Sequence, residues 1–222
     1  MNSKLTSETK ALLERYFDAA SNLYGIIPLN KLLKIYNSQN EPISEDDFLS
    51  FVDEIDLDHK FYFIVSEDEY YEDVDATTPI NRDLVAEYIL IDEDIDDAEF
   101  YYKIKENQYG KPYYVPDKEK LLKYEDESYH EKTLSFISLR AFFRNQSNLT
   151  KETADSLTES VYVCANVYEG SIDEVIKLLD FMDYNLTEAA LREFVPLYTD
   201  MYNDTRLHYN CGYTPNEMLK LY

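Results

Sequence analysis

The stretch FYFIVSEDEYY, residues 61–71, sets two aromatic runs on either side of a short polar turn. Phe61, Tyr62, Phe63, Ile64 and Val65 form the first run, and Glu69, Tyr70 and Tyr71 resume it after Ser66, Glu67 and Asp68. Aromatic and β-branched side chains pack well on a pleated surface. The stretch therefore reads as a β-hairpin, although no Asn-Gly or Asp-Gly marks its turn.

What precedes it reads as helical. Leu13, Tyr16, Phe17, Ala20, Leu23 and Tyr24 recur with a helical period over 7–24, and Gly25 supplies a C-terminal stop. Pro28 opens a second helix with Leu29, Leu32, Leu33 and Tyr36 inward, ending near 37–40. Ser44 is a good N-cap for a third, with Asp47 three residues on. Glu45 and Asp46 fall in its first turn, where the helix dipole favours negative charge. Phe48, Phe51, Val52 and Ile55 form its apolar stripe. Three helices followed by a hairpin is the order of a winged helix. In a DNA-binding version the third helix enters the major groove. Here it would bring Glu45, Asp46, Asp47, Asp53, Glu54 and Asp56 towards phosphates of like charge.

Residues 72–117 are less regular: 84–91 read as a strand, 92–97 as an acidic turn or helix start, and 99–105 as a short aromatic segment. Beyond them every segment looks helical. Asp117 caps 118–124, and 129–143 carries Leu134, Ile137, Leu139, Phe142 and Phe143. A helix from Thr150 or Lys151 to 167 aligns Leu157, Val161 and Cys164. Gly170 and Ser171 cap 172–182, and Pro196 bends or splits a helix over 189–202. Thr214-Pro215 opens a last short turn. The expected fold is mainly α (α+β), in three parts. These are a winged-helix-like unit with a β-hairpin (1–75), an acidic α/β segment (76–117) and a helical bundle (118–222).

Charge is the chief anomaly. The 222 residues hold 45 Asp and Glu against 21 Lys and Arg, a net of −24. Residues 41–100 alone hold 22 of those acids against Lys60 and Arg82. Such a field repels nucleic acid and anionic membrane and attracts basic surfaces. Four glycines and seven prolines are too few for a turn-dense β-sandwich. The opening MNSKLTSETK has no apolar run behind its basic residues, and none elsewhere approaches the ~18 residues of a membrane span. A cytoplasmic location follows as an expectation, with Cys164 and Cys211 as thiols.

Chemical motifs fail on inspection. Asp92, Asp94 and Asp96 imitate the start of an EF-hand loop, but its sixth position is Asp97 rather than Gly and its twelfth is Lys103 rather than Glu. His59, His130 and His208 are scattered, and a His208–Cys211 site would lack two zinc ligands. There is no GxSxG motif and no phosphate-cradling glycine loop. Acids are so abundant that any two can be paired on paper, which leaves a carboxylate-based hydrolase as a minor reading. No catalytic residue, metal or cofactor is expected.

The acidic segment interleaves its carboxylates with Tyr62, Tyr70, Tyr71, Tyr88, Tyr101 and Tyr102. Carboxylates on successive helix turns lie about 5–6 Å apart, a spacing able to imitate a phosphate backbone. The leading expectation is a non-enzymatic inhibitor or adaptor that occludes the groove of a basic nucleic-acid-binding protein. That is the manner of DNA mimics such as phage anti-CRISPRs, whose targets are CRISPR effector nucleases. The contacts fall to Asp46, Asp47, Asp53, Glu54, Glu67, Asp68, Glu69, Tyr70, Tyr71, Asp92, Asp94, Asp96 and Asp97. Direct binding of nucleic acid or membrane is not expected. The other reading makes the acidity a solubility feature and the C-terminal half a scaffold for a partner.

The segment YNDTRLHYNCGYTPNEM, residues 202–218, resembles one found in uncharacterised proteins of Gram-positive bacteria. Its form there is N-N-T-R, three or four residues, then N-x-G-H-T-P-N-E-L, often just before a small SEC-C zinc knuckle. Asn203, Thr205, Arg206, Asn210, Gly212, Thr214, Pro215, Asn216 and Glu217 carry the likeness. Residues 24–29 and 111–117 are similar to other parts of the same proteins. Tyr213 stands where that segment has His, and no cysteine cluster follows. The resemblance implies a bacterial, phage or mobile-element cytoplasmic protein and supplies neither an activity nor zinc. Physically, Gly212 and Thr214-Pro215 make a turn and cap, and Arg206 ties the last helices together.

Overall fold

The computed structural model describes residues 4–66, 68, 78–90, 97–168 and 170–221, with 97 and 98 as backbone only. These residues are mainly helical with one small antiparallel sheet of three strands, a mainly α (α+β) chain. They fall into two compact units, Met1–Tyr129 and His130–Tyr222.

The first unit opens with α1 (Ser7–Tyr24), capped by the Thr6 hydroxyl, which accepts from the Thr9 N–H at 3.1 Å. All six apolar residues of its predicted face are buried. Gly25 ends the helix at φ 67°, where a Cβ would be strained, and its N–H donates to the Ser21 carbonyl. Then follow β1 (Ile26–Pro28), α2 (Leu29–Gln39), α3 (Glu45–Val52), β2 (Tyr62–Val65) and β3 (Asp83–Ala86). The Ser44 hydroxyl caps α3 by accepting from the Asp47 N–H. Asn37 clasps the turn between α2 and α3, accepting from the Ile43 N–H at 3.0 Å and donating to its carbonyl at 3.1 Å.

The strands pair in the order β1-β3-β2, with Ile27 opposite Leu84 and Ile64 opposite Leu84 on the other side. Element order and sheet order together are the connectivity of a winged helix. Two details differ from the sequence reading. The partner of β2 is β3, and residues 69–71, expected as the second strand, lie outside the described residues. The strand predicted over 84–91 ends at Ala86 and gives way to a 3-10 turn, Glu87–Ile89. All four residues of β3 are buried, because it is the central strand of the sheet.

Residues 97–108 form α4 (Asp97–Gln108), longer than the aromatic segment that the sequence suggested. Phe100, Tyr101, Ile104 and Gln108 are its buried residues, a helical spacing obscured by the flanking charges. The chain then returns over α1. The Tyr24 hydroxyl donates to the Tyr114 carbonyl at 2.6 Å, the Gln39 amide to Pro116 at 2.7 Å, and the Asn22 amide to Tyr124 at 2.8 Å. A short α5 (Lys118–Leu121) and a 3-10 turn, Leu122–Glu125, bury Leu121, Leu122 and Tyr124 in the same core as Leu13 and Phe17. This segment, assigned from sequence to the helical bundle, therefore belongs to the first unit. Phe17 is central there, its ring 5.7 Å from Phe48 and Phe51 and 5.9 Å from Tyr62.

The second unit comprises α6 (Leu134–Arg144), α7 (Lys151–Tyr168), α8 (Ile172–Phe181), α9 (Glu188–Asp204) and α10 (Pro215–Met218). Each begins on a side-chain cap, at Thr133, Thr150, Ser171, Thr187 and Thr214 respectively. The buried face of α6 is Phe136, Leu139, Phe142 and Phe143, whereas Leu134 and Ile137 point outwards. α9 runs unbroken through Pro196. Pro196 is exposed and so is Arg192, whose carbonyl loses its helical donor, so water can satisfy that carbonyl. No helix of the described residues is long and apolar enough to cross a membrane.

His130 supplies a pH-dependent element in this unit. Its ring, 5% exposed, stacks on Tyr162 at 4.0 Å and meets the edge of Phe136 at 4.6 Å. Nε2 lies 2.7 Å from Glu159, which also holds Lys132 at 2.9 Å. Burial lowers the His130 pKa below its usual 6.5, outweighing the opposing pull of Glu159. The folded state then binds fewer protons than the unfolded chain. Stability from this group is complete above about pH 6.5 and is lost as pH falls from there towards the lowered value. In urea unfolding at pH 7.5 and 5.0, His130→Phe should lose less stability on acidification than the parent. Equal losses would show that His130 is not held neutral.

Candidate interaction surface

The predicted acidic contacts separate into several groups. Asp46 is exposed on the first turn of α3, beside exposed Glu45, and neither has an ion pair among the described residues. Asp47 is half-buried and takes a capping part, its carboxylate accepting from the Ser44 hydroxyl at 2.7 Å. Asp53 accepts from Arg82 at 3.2 Å and Glu54 from Lys10 at 2.5 Å, so both carboxylates already face a cation of the same chain. Asp68 is exposed. Asp97 opens α4, while Glu67, Glu69, Tyr70, Tyr71, Asp92, Asp94 and Asp96 lie outside the described residues. Asp56 and Asp58 are exposed just beyond α3, joined by an Asx turn in which the Asp58 N–H donates to Asp56 at 3.1 Å.

One acid of the segment is internal. The Asp83 side chain is 3% exposed and accepts from the Tyr101 hydroxyl at 2.6 Å, with the Lys105 ammonium 2.9 Å away. That ammonium also lies 5.3 Å from the centre of the Tyr101 ring. Asp83 thus fastens α4 to the central strand and is not part of any outward surface.

Sequence reasoning missed a concavity of about 350 Å³ whose carboxylates, Asp18, Glu125, Asp126 and Glu127, come from distant parts of the chain. Lys60, Phe61 and Tyr62 from the strand side line it as well. Lys60 is 3.3 Å from Glu14 and 3.8 Å from Asp18, and its ammonium lies 6.0 Å from the centre of the Tyr62 ring. Glu125 is held by Arg15 through two hydrogen bonds of 2.5 and 3.1 Å. Asp126 accepts from the hydroxyl and N–H of Ser128, which lowers its pKa and keeps it ionised. Burial raises the pKa of Asp18, with Lys60 opposing. Tyr62 is fully buried, and its hydroxyl has no hydrogen-bond partner among the described residues. No sequence signal joins residues more than a hundred positions apart, so this grouping emerges only in three dimensions.

The C-terminal motif folds into a buried ionic knot. Arg206, 7% exposed, donates to Glu131 at 3.2 Å, to Glu217 at 2.9 Å and to the Gly212 carbonyl at 3.0 Å. Glu217 also accepts from the Thr214 N–H at 3.1 Å, closing a capping box at the start of α10. Asn216 donates to Asp204 at 2.9 Å, and Ser135 donates to the other oxygen of that carboxylate at 2.8 Å. His208 and Cys211 are both buried, and Cys211 ends the preceding turn at φ 51°. Among the described residues no three His, Cys, Asp or Glu are placed to hold a metal ion. Burial pushes the Cys164 thiol up to about 11, far from the range of a nucleophilic thiolate. No protein-family model, curated protein or solved structure matches the chain.

Proposed function

We propose that the first unit is a non-enzymatic acidic receptor that binds and occludes a basic, nucleic-acid-handling protein. The observation that carries this reading is the position of α3. In a winged helix that element faces the DNA major groove, and here Glu45 and Asp46 occupy its exposed first turn. With Asp56 and Asp58 beyond its end, the α3 region carries exposed negative charge at both ends. Such a surface attracts what DNA attracts, accelerating encounter in a salt-dependent way. Asp53 and Glu54 contribute less, because Arg82 and Lys10 already offset them.

The test is capture of partners from a bacterial lysate on the tagged full chain, washed at low and high salt and challenged with duplex DNA. A basic nucleic-acid enzyme released by salt and displaced by DNA is the expected result. Association should slow, and its salt dependence flatten, when Glu45, Asp46, Asp56 and Asp58 become Gln or Asn. The same is expected of the set Asp92, Asp94, Asp96 and Asp97. Unchanged rates and salt slope in both variants would remove the acidic surface from the interface. A second reading, a scaffold binding through the C-terminal unit, is favoured by Leu134 and Ile137, 83% and 42% exposed one turn apart on α6. It predicts capture that survives high salt and is lost in Leu134→Ser/Ile137→Ser.

A further inference from the structure

The acidic concavity beside β2 has a volume of about 350 Å³. It has four carboxylates on its walls, and the one ammonium among its lining residues, Lys60, lies beside Glu14 and Asp18. Glu125 is engaged by Arg15, but no ion pair engages Asp126 or Glu127 among the described residues. Phe61 lies on the wall with 62% of its surface exposed. Tyr62, which also lines the concavity, adds a buried hydroxyl without a hydrogen-bond partner among the described residues. Burial raises the pKa of that hydroxyl, and the charges of Asp18 and Glu14 add to the effect.

We infer that this pocket receives the guanidinium of an arginine side chain carried by the basic partner, in place of the Lys60 ammonium. The inference rests on the proposed function and specifies its recognition chemistry. A guanidinium is planar and always charged, with N–H donors enough for two carboxylates and a tyrosine oxygen at once. It also stacks on an aromatic face, which Phe61 supplies at the rim. An ammonium has no such plane, and the volume of about 350 Å³ is more than a bare ion fills. Lys60 in this view is a placeholder: its ammonium lies over the Tyr62 ring and moves aside when the guanidinium enters.

The experiment is a titration of the full chain with Nα-acetyl-arginine amide, and separately with Nα-acetyl-lysine amide, followed by NMR. The reporters are the Asn22 side-chain amide, the Ser128 N–H and the Phe61 ring. Saturable shifts with the arginine probe, several-fold weaker with lysine, are expected. Lys60→Gln should tighten arginine binding several-fold, and Glu127→Lys should abolish it. Tyr62→Phe should weaken binding several-fold while the thermal midpoint stays level or rises, which separates a lost ligand contact from a damaged fold. Absence of saturable shifts, equal affinity for lysine, or binding indifferent to Tyr62→Phe would overturn the assignment. If the probe fails while salt-sensitive capture of a basic protein persists, the pocket reading falls and the proposed function stands.

Discussion

Replacing Gly170 by alanine is expected to destabilise the C-terminal unit by about 2–5 kcal/mol, the sum of a left-handed backbone penalty and an overpacking penalty. Gly170 is buried at φ +40°, a conformation that L side chains rarely adopt. A Cβ there would lie 2.6 Å from the Tyr198 hydroxyl, 2.7 Å from the Ala165 Cα and 2.9 Å from the Cys164 carbonyl. The first of these atoms belongs to a side chain, but it is held, because the Tyr198 hydroxyl donates to the Gly170 carbonyl. The other two are backbone of α7 and give way only if the helix shifts. Urea unfolding of the full chain, read by tyrosine signals and by NMR peaks of the C-terminal unit, measures the loss. Adding Tyr198→Phe relieves one contact of the three and should recover only a small part. A loss below about 1 kcal/mol would mean that α7 yields easily, contrary to the close packing of protein interiors.

Much of the fold was legible because it rests on local signals. The six inward residues of α1, the Gly25 stop, the Ser44 cap and the Ser171 and Thr214 caps all depend on neighbours within one or two turns. Arg206 as the tie of the last helices was legible too, since Gly212 and Glu217 lie within eleven residues of it. What escaped was non-local. β1 is three residues long, too short for any period, and exists because Ile27 faces Leu84 across the sheet. α4 escaped because its buried stripe includes Tyr101 and Gln108, which no hydropathy pattern places inside. They are buried because each polar end finds a partner, Asp83 for the one and the Tyr24 carbonyl for the other.

The acidic surface shows the same limit more sharply. Composition locates the charge within 41–100 but cannot say which carboxylates are spent. Glu54 is answered by Lys10 from α1, Asp53 by Arg82, and Asp83 by Lys105. The sequence therefore overstates the negative field at these positions. It also understates the field beside β2, where Asp126 and Glu127 join Asp18 from opposite ends of the first unit.

Neutralising the two carboxylates that pair with Arg206 among the described residues, in Glu131→Gln/Glu217→Gln, is expected to cost about 3–5 kcal/mol, as for a buried charge that loses paired carboxylates. The asymmetry of burial makes the direction definite. Glu131 and Glu217 have side chains 35% exposed and can be hydrated when alone, whereas Arg206 at 7% cannot. Each glutamine keeps an oxygen able to accept, so the Thr214 cap survives and the loss reports the charge rather than the helix start. Each single variant leaves the guanidinium the other carboxylate of this pair and should lose less than half of the total, so the two effects combine more than additively. Removing the charge as well, with Arg206→Met on the double variant, should restore part of the stability, because a stem of similar length fills the space without a stranded cation. Restoration would assign the cost to electrostatics inside the C-terminal motif. If the triple variant is weaker still, the guanidinium's hydrogen bond to the Gly212 carbonyl holds the turn, and shape rather than charge explains that pattern of residues.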